Sequence, residues 1–293
     1  MPAPLNAKIF AAGYCDNSKA AYLHIHSESK VASGLDLVMV QQDSLILFVI
    51  IDQRIMSQLS AYRLLSFDVY GTLVDWEEGI CAALQVTLDR YGVQFKRDRL
   101  LHLFHDLELE HETKFPGMLY SELLSDVHPA LIEQLGLPSP TPEENKSFGE
   151  SVAHWPVFPD SVDALKRLSK HYKLVLVSNV DRDSLSKTIA GRLQGFPFDL
   201  VVTAQDIGSY KPDLRNFQYL LKAVREELGV ESHHVLHTAQ SQFHDHRPAQ
   251  KVGIKSVWIT RSGAVMGNVD EAVYDWRFDT LGDMADAVDA DGT

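Results

Sequence analysis

RLLSFDVYGTL, residues 63–73, is the stretch that decides the fold. A short apolar run, Leu64 to Phe67, ends in Asp68 and then a Gly71-Thr72 turn. A run this short that ends in a turn matches a strand buried on both faces, the kind found in parallel sheets. The following segment, EEGICAALQVTLDRYG, has helical spacing. Ile80, Ala83, Leu84, Val86 and Leu88 give it a largely apolar face, and Gly92 stops it.

From Phe95 to about Val152 the pattern is helical and charged, with breakers at Pro116-Gly117 and across GLPSPTPEEN. It carries no strand pattern, so it reads as an inserted helical cap over residues 79–152. Alternation then resumes. SVDALKRLSKHY is a helix with Ser161 as its N-cap, and KLVLVSN is a strand. DSLSKTIAGRL (helix), FDLVVTA (strand), NFQYLLKAVREEL (helix) and HHVLHTA (strand) follow, then a helix over PAQKVG, and SVWIT closes the series. Repeated βα units of this kind predict an α/β fold, a doubly wound, Rossmann-like parallel sheet, here formed by residues 61–78 and 153–293. Such sheets bind ligands at the C-terminal ends of their strands.

Residues 1–60 belong to neither part. LILFVII, Leu45 to Ile51, is too short to span a bilayer, which takes about 20 apolar residues, and is expected as a strand. No basic segment followed by an apolar core opens the chain, so no secretory signal is expected. Met56 is expected to be a start site, with the upstream part an extension.

Composition narrows the functional classes. The chain has 293 residues, and 27 basic against 40 acidic side chains leave a net charge of −13. Nucleic acids and anionic membrane surfaces need clustered Lys and Arg, so neither is expected as a partner. Cys15 and Cys81 cannot make a disulfide framework, which fits a cytoplasmic protein.

Four polar clusters fall at the ends of four predicted strands: Asp68-Val-Tyr70-Gly71-Thr72, Ser178-Asn179, Tyr210-Lys211-Pro212-Asp213, and Gln240-Ser-Gln242-Phe-His244-Asp245. In a parallel sheet these ends converge on one crevice. His233, His234, His237, His244 and His246 match no compact zinc-ligand spacing. Trp155 and Trp258 are expected in the core.

The four clusters, in this order, resemble the motifs of the haloacid dehalogenase superfamily, with the helical insertion where that superfamily places its cap. Its phosphatases carry a second Asp two residues after the nucleophile as general acid; here that residue is Tyr70, a poor donor with a pKa of about 10. They also carry a Mg²⁺-binding Asp at the position of Gln240, which brings no charge to a hard cation. Tyr70 followed by T-L-V-D is instead similar to the metal-free (S)-2-haloacid dehalogenases.

That resemblance implies hydrolysis of a small 2-haloalkanoic acid to the 2-hydroxy acid through an aspartyl ester, with no metal and no cofactor. Asp68 is the implied nucleophile. Lys211 is expected to keep it ionised, Asp245 to orient or deprotonate the hydrolytic water, and Thr72 to position Asp68. Tyr70, Ser178, Asn179, Gln242 and His105 are expected at the substrate. The implied partners are a small-molecule carboxylate and a second copy of the chain, as a homodimer. This chain departs from the dehalogenases in having Gln240 and Gln242 for Ser and Asn, His244 for Trp, and His105 nearest the halide-binding arginine. Arg97 and Arg99 lie upstream of that position. A Mg²⁺-dependent phosphatase and a binding protein with decayed chemistry are the alternatives.

Overall fold

The computed structural model describes residues 35–42, 45–52, 59–269 and 272–291, the first two stretches by their backbone. Strands β1 (Leu35–Gln42) and β2 (Leu45–Asp52) form a separate antiparallel hairpin, so LILFVII is part of a strand. Met56 and Cys15 lie outside the described residues. Among the described residues no helix is long and apolar enough to cross a membrane.

The main sheet is parallel. It contains β3 (Leu64–Phe67), β4 (Lys173–Ser178), β5 (Leu200–Thr203), β6 (Val235–Ala239), β7 (Lys255–Ile259) and β8 (Trp276–Phe278). Its order is β5-β4-β3-β6-β7-β8. The chain runs outward from β3 through β4 to β5, then returns to the other side of β3 with β6. The C-terminal end of β3 therefore lies at the switch point, where open α/β sheets leave a crevice.

Both faces of β3 are buried, which is why its sequence reads as an unbroken run. Leu65 and Phe67 join a core with Leu174, Leu176 and Leu236, covered by Leu165 and Leu168 of the Ser161–Leu168 helix and by Met284 and Val288 of the Leu281–Asp291 helix. Leu64 faces the other way, with Val175, Val177, Val202 and Val235 against Phe217, Leu220 and Val224 of the Leu214–Leu228 helix.

Between β3 and the Ser161–Leu168 helix that leads into β4, the chain forms four α-helices: Trp76–Tyr91, Arg97–Lys114, Tyr120–Gln134 and Pro142–Glu150. Phe104, Leu123, Val127, Leu131 and Phe148 pack among them and continue the first core. Truncating Phe104 to Ala at such a site costs about 3–5 kcal/mol. Asp75 caps the first helix by accepting from the Glu78 amide, and left-handed Gly92 ends it. Gly79 of that helix lies against Trp155; a Cβ there would come within 2.2 Å of the indole.

Four expectations need correction. Val86 is 66% exposed, because buried Ile80, Leu84 and Leu88 recur every fourth residue and residue 86 falls on the opposite face. Ser161 is the first helical residue rather than the cap, and its hydroxyl donates to the Leu73 carbonyl. β7 does not close the sheet, since β8 and the Leu281–Asp291 helix follow it. Trp155 is buried, but Trp258 is only partly so; its indole N–H donates to the Gln240 carbonyl.

Candidate active site

β3 delivers Asp68 to the crevice. Its amide still donates to Thr238 of β6 at 3.1 Å, after which the chain turns. The amides of Leu73 and Val74 both return to the Val69 carbonyl, making a compact loop. Gly71 has φ +105°, a conformation open to glycine, and its amide donates to Val74 at 2.7 Å. The loop is also clamped from behind by buried Arg261, whose guanidinium donates twice to the Thr72 carbonyl and once to Asp160.

The Asp68 carboxyl is buried and bonded on both oxygens. Thr72 donates to Oδ2 and Lys211 Nζ to Oδ1, each at 2.7 Å. Thr72 Oγ1 itself accepts from the Gln240 amide at 2.9 Å, which ties the β3 loop to the end of β6. Lys211 is 2% exposed. Its remaining donors go to Asp245 Oδ1 at 2.7 Å and to the Val177 carbonyl at 3.2 Å. Removing one member of such a buried ionic cluster typically costs roughly 3–5 kcal/mol, because a charge is left unpaired.

Asp245 sits in a short π-turn, Gln242–His246, after β6. Buried His237 of β6 contacts its Oδ1 through Nε2 at 3.0 Å, while His237 Nδ1 meets Ser66 Oγ of β3 at 2.9 Å. A carboxylate only accepts, so His237 Nε2 is the donor to Asp245. Asp245 Oδ2 is buried with no partner among the described residues. An orphan acceptor of this kind in a polar cavity marks a position for a water or ligand donor.

Charge is divided unequally between the two acids. Burial pushes the Asp68 carboxyl above its ordinary value, and the Asp245 charge adds to this against the pull of Lys211. Burial also works to raise Asp245, yet Lys211 and the His237 bond outweigh it and hold that carboxyl well below the usual range. Lys211 stays raised despite burial, because it faces both acids. Lys211 is expected to keep Asp68 ionised; shared between two carboxylates, it pulls the Asp68 pKa down against the larger effect of burial.

Asp68, Tyr70, Ser178, Asn179, Lys211, Asp245 and His105 all line one cavity of about 80 Å³. That is room for a ligand of only a few heavy atoms. Gln242 is buried but outside the lining; its amide donates to the Gly267 carbonyl. The Tyr70 hydroxyl is directed to Thr188 Oγ1 at 2.9 Å, its ring meets Trp155 edge-on, and burial raises its pKa. Ser178 Oγ accepts from the Val180 amide. Asn179 has spent its side chain: Nδ2 donates to the Lys211 carbonyl and to Glu112 Oε1, each at 3.2 Å, and Oδ1 accepts from the Lys211 amide at 2.7 Å. It holds the lysine loop to the insertion and has no donor left for a substrate carboxylate.

Glu108, Glu112, Tyr120, Trp76, Met266 and Gly267 line the cavity from outside the four sequence motifs, and Ser241 and His244 of the fourth motif line it as well. The Tyr120 hydroxyl donates to Glu108, whose other oxygen meets His105 Nδ1 at 3.4 Å. That bond raises the His105 pKa against burial, whereas burial lowers His244 to about 4. Arg97 bonds Glu77 at 2.8 Å and lines a neighbouring cavity, and Arg99 is exposed. Among the described residues no guanidinium lines the site.

The residues do not fit a hard divalent cation. Lys211 Nζ already stands 2.7 Å from both Asp68 and Asp245. Gln240 brings no charge, and its amide nitrogen is anchored to the Met266 carbonyl and to Asn268. Among the described residues no three His, Cys, Asp or Glu side chains come together in a way that could hold a metal.

Residues 65–259 match the family described as haloacid dehalogenase-like hydrolase, and the chain belongs to it. An (S)-2-haloacid dehalogenase of Pseudomonas putida is 23% identical over 210 residues, 70% of this chain and 87% of its own. Pyrophosphatase PpaX of Bacillus pumilus is 25% identical over 218 residues, 73% of this chain and 89% of its own. Among solved structures, L-2-haloacid dehalogenase from Xanthobacter autotrophicus, with chloropropionic acid covalently bound, superposes with a TM-score of 0.65 at 18% identity, covering 78% of this chain and 98% of its own.

Proposed function

We propose that this hydrolase works without a metal, displacing halide from a small 2-haloalkanoic acid through an ester on Asp68. One observation carries the reading. The Asp68 carboxylate is held at a small cavity by Lys211 and Thr72, while the residue two positions on is a tyrosine aimed at Thr188. A phosphatase needs an acid there to protonate its leaving oxygen; halide departs without one.

In the first step an Asp68 oxygen attacks Cα of the substrate. The C–O bond forms as the carbon–halogen bond breaks, the electron pair leaves with the halide, and the carbon inverts. Lys211 balances the negative charge gathered in the buried site. In the second step a water donating to Asp245 Oδ2 attacks Cγ of Asp68. Thr72 and Lys211 bond different oxygens of Asp68, so one steadies the tetrahedral oxyanion while the other faces the ester oxygen. The water gives a proton to Asp245 as it adds, the Cγ–ester oxygen bond breaks, and the departing oxygen takes that proton to leave as the 2-hydroxy acid. A carboxyl held as low as Asp245 is a weak base. It orients the water and holds the proton only until the departing ester oxygen takes it.

The test is chloride release from (S)-2-chloropropionate with EDTA present, for the wild type and Asp68→Asn. Release by the wild type alone supports the reading. Turnover of p-nitrophenyl phosphate that Mg²⁺ stimulates and Asp68→Asn abolishes would replace it with a phosphatase.

A further inference from the structure

In the proposed reaction a halide ion is released into a cavity on whose wall no guanidinium stands among the described residues. The insertion contributes the Arg97–Lys114 helix to that wall, and its inward stripe is His105, Glu108 and Glu112. Glu112 is 7% exposed. Oε1 accepts from Asn179 Nδ2, and Oε2 has no hydrogen-bond partner among the described residues. No Lys, Arg or His of the described residues lies within ion-pair distance of either oxygen.

The charged and titratable groups around Glu112 are few. Glu108 stands one turn back on the same helix, and Tyr120 lies across from it on the next helix. Tyr210 and Lys211 face it from the core, and the Lys211 ammonium is committed to Asp68, Asp245 and the Val177 carbonyl. A buried carboxyl with no ion-pair partner and a second acid one turn away favours its neutral form. Burial first, and Glu108 next, push its pKa well above the carboxylate range. In that form it carries an O–H to donate; ionised, it would repel an anion.

We propose that Glu112, as a neutral carboxylic acid, donates a hydrogen bond to the departing halide and is a catalytic residue of the leaving-group side. No proton is transferred: the halide takes the electron pair of its bond to carbon, and the O–H stays on Glu112. This role rests on the proposed reaction only in placing a halide in this cavity.

Bromide is the probe, titrated against the full chain at constant ionic strength and read by quenching of tryptophan fluorescence, since Trp76 lines the cavity. Wild type, Glu112→Gln and Glu112→Ala are compared at pH 5.5 and pH 9. At pH 5.5, Glu112→Gln, which keeps a neutral donor, binds bromide within threefold of the wild type, and Glu112→Ala binds at least tenfold more weakly. At pH 9 the wild type falls toward Glu112→Ala while Glu112→Gln holds its affinity. The proposal is overturned if Glu112→Gln is as weak as Glu112→Ala, or if Glu112→Ala binds as tightly as the wild type. It is also overturned if Glu112→Gln keeps the full pH loss, which would assign the donor to His105. Chloride release is measured in parallel. Bromide binding as expected without turnover removes the dehalogenation reading and leaves Glu112 as an anion donor.

Discussion

The two walls of the cavity are built differently. On the core side, strand ends converge and both carboxylates accept from the same lysine: Thr72 and Lys211 donate to Asp68, Lys211 and His237 to Asp245. Those bonds fix the atoms that must meet in a covalent reaction. On the insertion side, a single helix presents His105, Glu108 and Glu112, and among the described residues no lysine or arginine forms an ion pair with them. The core wall is held rigid by paired charges. The other wall carries acids whose charge depends on protonation. In the proposed reaction the attack falls to the sheet and the handling of the departing group to the helix.

Substitutions should separate the walls. Lys211→Met removes the shared cation and leaves Asp68 and Asp245 facing each other unneutralised. It should cost about 3–5 kcal/mol of stability, seen as a lower midpoint in urea. It should also lower turnover roughly 10²–10³-fold. Asp245→Asn should spare the first step and slow the second by roughly 10²–10⁴-fold. The ester would then accumulate and be seen as added mass on the peptide carrying Asp68; equal slowing of both steps would dissolve the division of labour argued for the core wall.

The pH profile has a definite sign. Asp68 must be ionised to attack, and its folded pKa lies above the ordinary value. Activity should therefore be lost, as pH falls, at a higher pH than a free aspartate of pKa about 3.9 would give, read as the acid limb of kcat/KM. The smallest effect belongs to Tyr70→Phe. It removes one hydrogen bond to Thr188, costs about 1 kcal/mol of stability, and leaves turnover within a fewfold. A large loss of turnover there would make the hydroxyl a participant.

The core wall was legible because its parts are short-range signals. An apolar run followed by Asp68, and the same pattern leading into Ser178 and Gln240, puts polar residues at strand ends on the strength of residue order alone. Other parts left little trace. β8 is three residues long, too short for periodicity to show. His237 sits inside a strand, and only the π-turn that follows shows that it reaches Asp245. Glu108 and Glu112 fall in none of the four motifs, although they continue the buried Phe104 at intervals of four, a sign that they face inward. Gln242 shows the converse: its motif position pointed to the substrate, and a local turn carried it away.

The central claim is that Asp68, and not water, attacks the substrate carbon. A single turnover of (S)-2-chloropropionate in H₂¹⁸O, with enzyme in excess, tests it directly. The account predicts ¹⁸O in the Asp68 carboxyl, located by mass spectrometry of its peptide, and unlabelled oxygen in the lactate hydroxyl. Label in the lactate with none in Asp68 would contradict it.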